Sequence, residues 1–574
     1  MKAPTSMQIL EQKLAHRLDS VRQTRTKTSL VHLHTWVGEH LSLLGIPTQH
    51  LDMCVEILEH MSDMKIIWLH LQECSGCTES LLRTQNPSFE TLLFDVFRIE
   101  YHDTLMMSSG YQATQVLESA VQNEHYILLV EGSVPMEGAQ NYLTIGERNG
   151  YEDLCHIAQN AQAVFAIGTC SSYGGVQSAA PNPSRSHALS EVLNREVIHI
   201  PGCPPSDKNI VATLLYYYLF LESPALDNLH RPLWAYGKSV HDLCERKGAF
   251  LSGKFAQDFN DEGMQEGYCL YKVGCKGPYA FNNCPKVQFN AKTSWPVRAG
   301  HGCIACSEPN FWDNFGALES PMSKQSFFTY QSKCMPKPKN TPTLLSRSLK
   351  TREAKQEFLT QHNLSKCLFV ESSPESSAMY LYADGALTQI LTLNFETNPK
   401  LLLQSIQSKN KQGQSLYQNY CKTFGDNAAW IDSLEETSVM SANLYDALKS
   451  ALMLFGVREA NATDLLKLAK ECKFPYVSPF GLKLKQESIQ QVGQGERAIG
   501  YNWNFAKALS VALAYCVGGL DVYGLSYSLA REVVDMFVEV AKEQDCAVVF
   551  EGEIFTHFLV IESHMAHTTY LVDL

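Results

Sequence analysis

Nowhere does the sequence run for eighteen or more apolar residues, the length an α-helix needs to cross a bilayer. The nearest candidate, residues 506–517, is short and reads as a buried helix. The opening MKAPTSMQILEQKLAHRLDS holds neither an apolar signal core nor an Arg-Arg pair, so no secretory or twin-arginine leader is expected. Basic charge is scarce: 47 Lys and Arg face 60 Asp and Glu, and a net charge of −13 argues against gripping a nucleic-acid backbone. Strong glycine-rich phosphate loops are missing too, since ADGALTQ and GQGERAIG are turn signals only. These absences leave a cytoplasmic chain as the expectation, at most peripheral on the cytoplasmic face of the membrane.

Cysteine, by contrast, is plentiful, with eighteen in 574 residues. A chain of this length should split into two to four domains. In a reducing compartment so many thiols point to metal binding or redox work rather than to disulfides. Eleven of them fall between Cys74 and Cys306, most in or beside Gly- and Pro-rich turns. Cys54, Cys155, Cys367 and Cys472 sit singly in apolar or helical stretches and read as buried thiols. In ECSGCTES, residues 73–80, two cysteines stand three apart where a strand should turn into a helix. Locally they could be zinc ligands, a redox dithiol, buried thiols or half of an iron–sulfur site.

Residues 1–62 predict a helical extension, because LEQKLAHRLD, LVHLHTWVGEHLSLLG and HLDMCVEILEHM repeat apolar residues every three and four positions. Such helices pack on their own chain or on a partner. His32, His34 and His40 there read as ordinary residues. Through residues 63–225 the apolar runs KIIWLHL, EHYILLVEG, AVFAIGTC and EVIHIPGC alternate with helical patterns, which predicts βαβ units and a parallel sheet. An open α/β sheet places its ligand at the carboxyl ends of its strands. Three of the four loops expected there carry cysteine: Cys74 with Cys77, Cys170, and Cys203. Their convergence predicts a cluster site, and the two lone cysteines disfavour a zinc ribbon built from paired knuckles. Residues 226–330 lose the regular pattern and carry six more cysteines, so inorganic clusters are expected to staple a loop-rich domain. Residues 331–350 read as a Pro- and Lys-rich linker, and residues 351–574 as a separate, cysteine-poor α+β domain.

In order along the chain, ECSGCTESLLR, IEYHDTLMMSSGYQA, VEGSVP, GTCSSYGGV with PNPS, and IPGCPPSDKNIVATLL resemble the small subunit of nickel–iron hydrogenases. The resemblance continues through YGKSVHDLCERKGAF, CLYKVGCKGPYAFNNCP and AGHGCIACSEPNFWD, and it spans residues 65–313. It implies a flavodoxin-like parallel-sheet domain followed by an iron–sulfur domain. It further implies that Cys74, Cys77, Cys170 and Cys203 hold a proximal [4Fe–4S] cluster facing a partner's nickel–iron site. His241, Cys244, Cys269 and Cys275 match the ligands of a distal [4Fe–4S] cluster, and Cys284, Cys303 and Cys306 those of a medial [3Fe–4S] cluster. A histidine in place of a thiolate removes a negative charge, which should raise the distal potential. Gly76 stands where oxygen-tolerant members carry an extra cysteine, so an ordinary, oxygen-sensitive member is implied. The related small subunit of the respiratory proton-pumping complex lacks the module between His241 and Cys306.

In the family the nickel site is held by two Cys-x-x-Cys pairs of the large subunit, typically within Arg-x-Cys-x-x-Cys and Asp-Pro-Cys-x-x-Cys, and neither of those longer motifs occurs here. The implied activity, passing electrons from hydrogen oxidation through three clusters, therefore needs a large-subunit partner. The electron acceptor is not identified. Farther on, TSVMSANLYDALKSALMLFGVREANATDLLKLAKEC resembles a segment of the hydrogenase maturation carbamoyltransferases, and AVVFEGEIF stands where those enzymes carry a nucleotide loop. Glu551 and Glu553, however, occupy positions where a phosphate would need Gly or Ser. His564-Met-Ala-His567 has the wrong spacing for that family's metal pair and reads as exposed tail. A catalytically silent docking domain is the expectation. The tail also supports a second reading, an accessory protein for maturation, assembly or sensing. A pure electron carrier should keep its chemistry when shortened near residue 330.

Overall fold

The computed structural model describes residues 6–24, 33–61, 64–122, 125–146, 148–315, 319, 342–391, 393–472, 476–490, 497–555 and 569–572. His32, the His564–His567 motif and residues 331–341 of the expected linker lie outside them. The described residues of Met1–Glu245 and Cys275–Leu318 form one compact unit, and those of Arg246–Gly274 and Glu319–Leu574 form another.

The first unit is built on the predicted parallel sheet. Strands β1 (Lys65–His70), β2 (Arg98–His102), β3 (Tyr126–Glu131), β4 (Val164–Ile167) and β5 (Ile198–Ile200) lie in the order β2-β1-β3-β4-β5, and every pairing is parallel. That order is the flavodoxin-like one. Successive residues alternate between two apolar cores. Ile66, Trp68, Leu129 and Phe165 face one side; Ile67, Leu69, Leu128 and Val164 face the other. Both faces are covered, so the strands read as unbroken apolar runs instead of alternating ones.

Three helices precede the sheet: α1 (Ser6–Thr24), α2 (Leu33–Leu44) and α3 (Leu51–Met61). Their apolar stripes join the core that holds helix Asp207–Phe220, so they pack on their own chain. Trp36, Val37 and Leu41 are at most 2% exposed, and each burial is worth roughly 1.5–3 kcal/mol. His40 lies within that core with its Nδ1 2.7 Å from the Trp36 carbonyl, and burial pushes its imidazole down to about 4. His34 stays exposed, 3.3 Å from Asp52. Neither histidine has gathered a set of ligands.

Four helices set the carboxyl edge and flanks of the sheet: α4 (Gly76–Leu82), α5 (Gly110–Gln122), α6 (Gly150–Asn160) and α7 (Gly168–Tyr173). The helix Asp207–Phe220, α8, follows β5 and is buried on nearly every side between the sheet and the N-terminal helices.

The second unit opens with the short helix α9 (Lys247–Leu251) and holds a six-stranded mixed sheet. Its strands are β6 (Thr343–Leu345), β7 (Cys367–Ser372), β8 (Ser377–Ala383), β9 (Ala386–Gln389), β10 (Ala547–Glu551) and β11 (Thr569–Val572), ordered β6-β11-β10-β7-β8-β9. Strands β7, β8 and β9 form an antiparallel meander, while β10, β11 and β6 run parallel to β7. Helices α10 (Arg352–Gln361), α11 (Lys411–Thr423), α12 (Phe505–Val517) and α13 (Val522–Glu543) complete the elements used below. Cys367, expected to be an inert buried thiol, is fully buried in β7.

Candidate metal centres

Cysteines leave the carboxyl ends of three strands of the first sheet. Cys74 and Cys77 follow β1, Cys170 sits in α7 after β4, and Cys203 follows β5. The loops after β4 and β5 are tied together, since the Thr169 N–H donates to the Gly202 carbonyl (3.0 Å) and the Gly202 N–H to Thr169 Oγ1 (2.9 Å). Gly168 has φ +89°, and a Cβ on it would stand 2.4 Å from Cys77 Sγ, so only glycine lets this thiol reach the edge.

The electrostatics report the gathering. Burial pushes the Cys77 thiol well up, and then Glu131 and the thiols of Cys170, Cys203 and Cys74 push it further. Cys170 is driven up to about 11, first by burial, with Cys203 and Cys74 adding to it. Cys203 reaches the surface, yet enough protein surrounds it to push its thiol up to about 11, helped by Cys306 and Cys74. Thiols that hinder one another's ionisation are an unfavourable set on their own. They suit a bound cationic group that takes thiolates, which is the chemistry of iron–sulfur ligation.

Behind these thiols lies a polar network that the sequence did not reveal. Glu131, at the end of β3 and 1% exposed, accepts hydrogen bonds from the N–H groups of Cys77 (2.8 Å) and Thr78 (3.1 Å) and from Thr78 Oγ1 (2.7 Å). A carboxylate at the first turn of α4 suits the helix end and fixes the loop that carries Cys77. Thr78 Oγ1 also meets His70 Nε2 (3.4 Å) and His102 Nε2 (3.3 Å). Burial pulls the His70 ring down, but Glu73, Asp103 and Glu131 outweigh it and raise its pKa; His102 is driven down to about 3, by burial and then by His70. The glutamate in VEGSVP was visible, but nothing local linked it to a helix 54 residues away.

Cys275, Cys284, Cys303 and Cys306 of the first unit form a second gathering. Burial raises the thiols of Cys284, Cys303 and Cys306; Cys306 adds to the effect on Cys284, and Cys275, Cys306 and Cys284 to that on Cys303. Cys275 Sγ accepts the Cys303 N–H at 3.3 Å. A Cβ on Gly277 would lie 3.4 Å from Cys275 Sγ and 3.6 Å from the His241 backbone nitrogen, and the Cys244 N–H bonds to the His241 carbonyl (3.3 Å). The Cys275 thiol and the His241 backbone thus flank Gly277, with Cys244 three residues after His241, while Cys269 is carried by the second unit. The turn at residues 303–308 is pinned by a buried ion pair, Arg231 Nη1 to Glu308 Oε1 at 2.9 Å, with Arg231 Nε also on Asp227 at 2.8 Å. No spacing in the sequence pointed to that pair.

Comparison with known proteins gives these thiols their context. Residues 236–319 match the C-terminal family of the NiFe/NiFeSe hydrogenase small subunit, and residues 74–217 match the NADH ubiquinone oxidoreductase 20 Kd subunit family. The chain is 50% identical over 298 residues to the quinone-reactive Ni/Fe-hydrogenase small chain of Wolinella succinogenes, covering 51% of this chain and 84% of that one. The chain belongs to the nickel–iron hydrogenase small-subunit family. It is also 43% identical over 252 residues to the periplasmic [NiFe] hydrogenase small subunit 1 of Nitratidesulfovibrio vulgaris, covering 43% of this chain and 79% of that one. The solved NiFeSe hydrogenase of Desulfomicrobium baculatum aligns with 45% of this chain and 99% of its own at 29% identity, with a TM-score of 0.43. Small subunits of this family carry iron–sulfur clusters and serve electron transfer in catalysis together with a large subunit.

The cytoplasmic placement expected above is thereby corrected. Relatives of the chain are named as periplasmic or quinone-reactive hydrogenase small subunits. The expectation rested on finding neither a leader motif nor an eighteen-residue apolar run, and an absence of that kind does not fix a compartment. Among the described residues, no helix is long and apolar enough to cross a membrane.

Proposed function

We propose that this chain carries electrons between a nickel-bearing large subunit and a separate acceptor by holding three clusters in a row. The proximal [4Fe–4S] cluster would rest on Cys74, Cys77, Cys170 and Cys203, and the medial [3Fe–4S] cluster on Cys284, Cys303 and Cys306. His241, Cys244, Cys269 and Cys275 would hold the distal [4Fe–4S] cluster. These groups would supply one-electron centres, while the chain's own part is to fix the ligands, exclude water and present one face to its partner.

The observation that carries this reading is the gathering of Cys74, Cys77, Cys170 and Cys203 by the loops after β1, β4 and β5 at one sheet edge, with burial raising the last three thiols. A docking face for the large subunit is supported by the loops leaving the same edge, where Met107, Tyr111, Tyr142 and Val176 are all more than half exposed. The quinone-reactive name of the Wolinella relative makes a quinone pool the first acceptor to test.

The test is hydrogen-dependent dye reduction by the tagged chain, purified anaerobically with whatever copurifies. Turnover with a nickel-bearing partner is expected, and Cys77→Ala should lose about four irons and the turnover, while Cys367→Ala keeps both. Equal iron in wild type and Cys77→Ala would overturn the ligand assignment.

A further inference from the structure

The His-Asp pair of IEYHDTLMM takes no part in the clusters, yet it completes a set of converging ligand atoms. His70 closes β1, His102 closes the adjacent β2, and Asp103 follows directly. The two imidazoles are 5% and 2% exposed, with ring centroids 4.6 Å apart. One ligand atom from each of His70, His102 and Asp103 lies within 4.8 Å of the other two. The two Nε2 atoms are 3.4 Å apart, and Asp103 Oδ1 is 3.8 Å from His70 Nε2. Thr78 Oγ1, on the first turn of α4, stands 3.4 Å from His70 Nε2 and 3.3 Å from His102 Nε2. All four residues belong to the first unit.

These spacings are long for hydrogen bonds, which close to about 2.7–3.2 Å. They match a shared ion instead, because bonds of about 2.0–2.1 Å to a tetrahedral centre put neighbouring ligand atoms about 3.3–3.4 Å apart. The rings are also oriented for that task. His70 Nδ1 lies 3.2 Å from Glu73 Oε1 and His102 Nδ1 lies 3.1 Å from Thr104 Oγ1, so both rings turn Nε2 inward. A histidine that ligates through one nitrogen is held in this way by a partner on the other. Thr78 Oγ1 donates to Glu131 Oε2 at 2.7 Å, which leaves its lone pairs for the side of the histidines. Glu73, Asp103 and Glu131 all lie within 4.0 Å of the His70 ring nitrogens and make the surroundings negative. Burial keeps His102 neutral, with a lone pair to give. Two imidazoles and a carboxylate are ligands that zinc takes, and the set holds none of the thiolates that suit an iron–sulfur cluster.

We propose that His70, His102 and Asp103 bind one zinc ion, with Thr78 Oγ1 in the fourth position. The ion joins the carboxyl ends of β1 and β2 to the first turn of α4. It thereby anchors the stretch from Asp103 into α5, where Met107 and Tyr111 are exposed. None of its ligands is shared with the three clusters.

The experiment uses the full chain with its large subunit, purified anaerobically so that bound iron stays in place. Zinc chloride alone is the probe, added in slight excess and cleared by gel filtration. Zinc and iron are counted per chain, and X-ray absorption at the zinc edge reports the ligand atoms. Wild type should keep about one zinc, with nitrogen and oxygen at about 2.0–2.1 Å and no sulfur at about 2.3 Å. Losing a ligand should cost no less than losing an orienting partner, which is worth about 10–100-fold in affinity. His102→Ala should therefore bind zinc at least about 100-fold more weakly and Asp103→Asn at least about 10-fold, with iron unchanged in both. A wild type that keeps no zinc, or keeps it on sulfur, overturns the site. So does nitrogen- and oxygen-bound zinc held as tightly by both variants as by wild type. Should His102→Ala fail to fold, Asp103→Asn decides alone, because its carboxylate is exposed and the change is isosteric.

Discussion

Replacing Gly168 by alanine should empty the proximal site of iron. The new Cβ would lie 2.4 Å from Cys77 Sγ, whereas ordinary contact needs about 3.5 Å. The thiol must therefore retreat by about 1 Å, several times the roughly 0.2 Å that a metal–ligand distance tolerates. The backbone adds its own cost, because φ is +89° and a side chain there loses about 1–2 kcal/mol. Gly138 separates the two effects: its φ is +90°, yet nothing lies within 4 Å of its Cβ position. Gly138→Ala should lower stability in urea by about 1–2 kcal/mol and keep all its iron. Gly168→Ala should lose about four irons and the proximal EPR signal in a chain that remains folded by circular dichroism. Wild-type iron in Gly168→Ala would refute the close approach of Cys77 to the β4 loop.

Two further outcomes are expected. Arg231→Met leaves the Glu308 and Asp227 carboxylates without their buried partner and should cost about 3–5 kcal/mol in urea unfolding, with a weakened medial signal, because Glu308 also holds the Phe281 N–H at 2.7 Å. Glu532, on α13, accepts the N–H groups of Phe480 (2.8 Å), Gly481 (3.1 Å) and Leu482 (3.0 Å), yet burial outweighs these bonds and pushes its carboxyl up to about 7. A raised folded value means stability that is full below the unfolded value of about 4.3 and is lost as pH climbs to 7, about 4 kcal/mol in all. Urea unfolding at pH 5 and pH 8 should show the second unit weaker at pH 8, and Glu532→Gln should remove most of that difference.

Much of the first unit could be read from the chain because its signals are local. Four of the five strands are apolar runs ending near a Gly, Cys or Pro turn, and those four placed Cys74, Cys77, Cys170 and Cys203 on one edge; β2, half polar in RIEYH, was not read as a strand. The helices of residues 1–62 were also legible, but not the surface they cover, since nothing in a periodic stripe names its partner. Contacts that join distant residues stayed hidden. Glu131 grips α4 across 53 and 54 residues, and Arg231 meets Glu308 across 77. The core around Phe250, Phe255 and Tyr271 depends on Tyr515, far along the chain, so the allegiance of Arg246–Gly274 to the second unit left no local trace. Compartment was misread because it was inferred from what was not found, a leader motif and a spanning run, rather than from any residue that reports it.

The burial of α8 has a consequence during synthesis. The stripe of Trp36, Val37 and Leu41 leaves the ribosome about 170 residues before α8, the helix that covers it. At roughly 5–20 residues per second that is an interval of about 10–30 seconds in which α1 to α3 lack the helix that completes their core. Slower elongation lengthens the wait. A chaperone that binds short amphipathic helices should therefore engage this protein early and be released only when α8 has emerged.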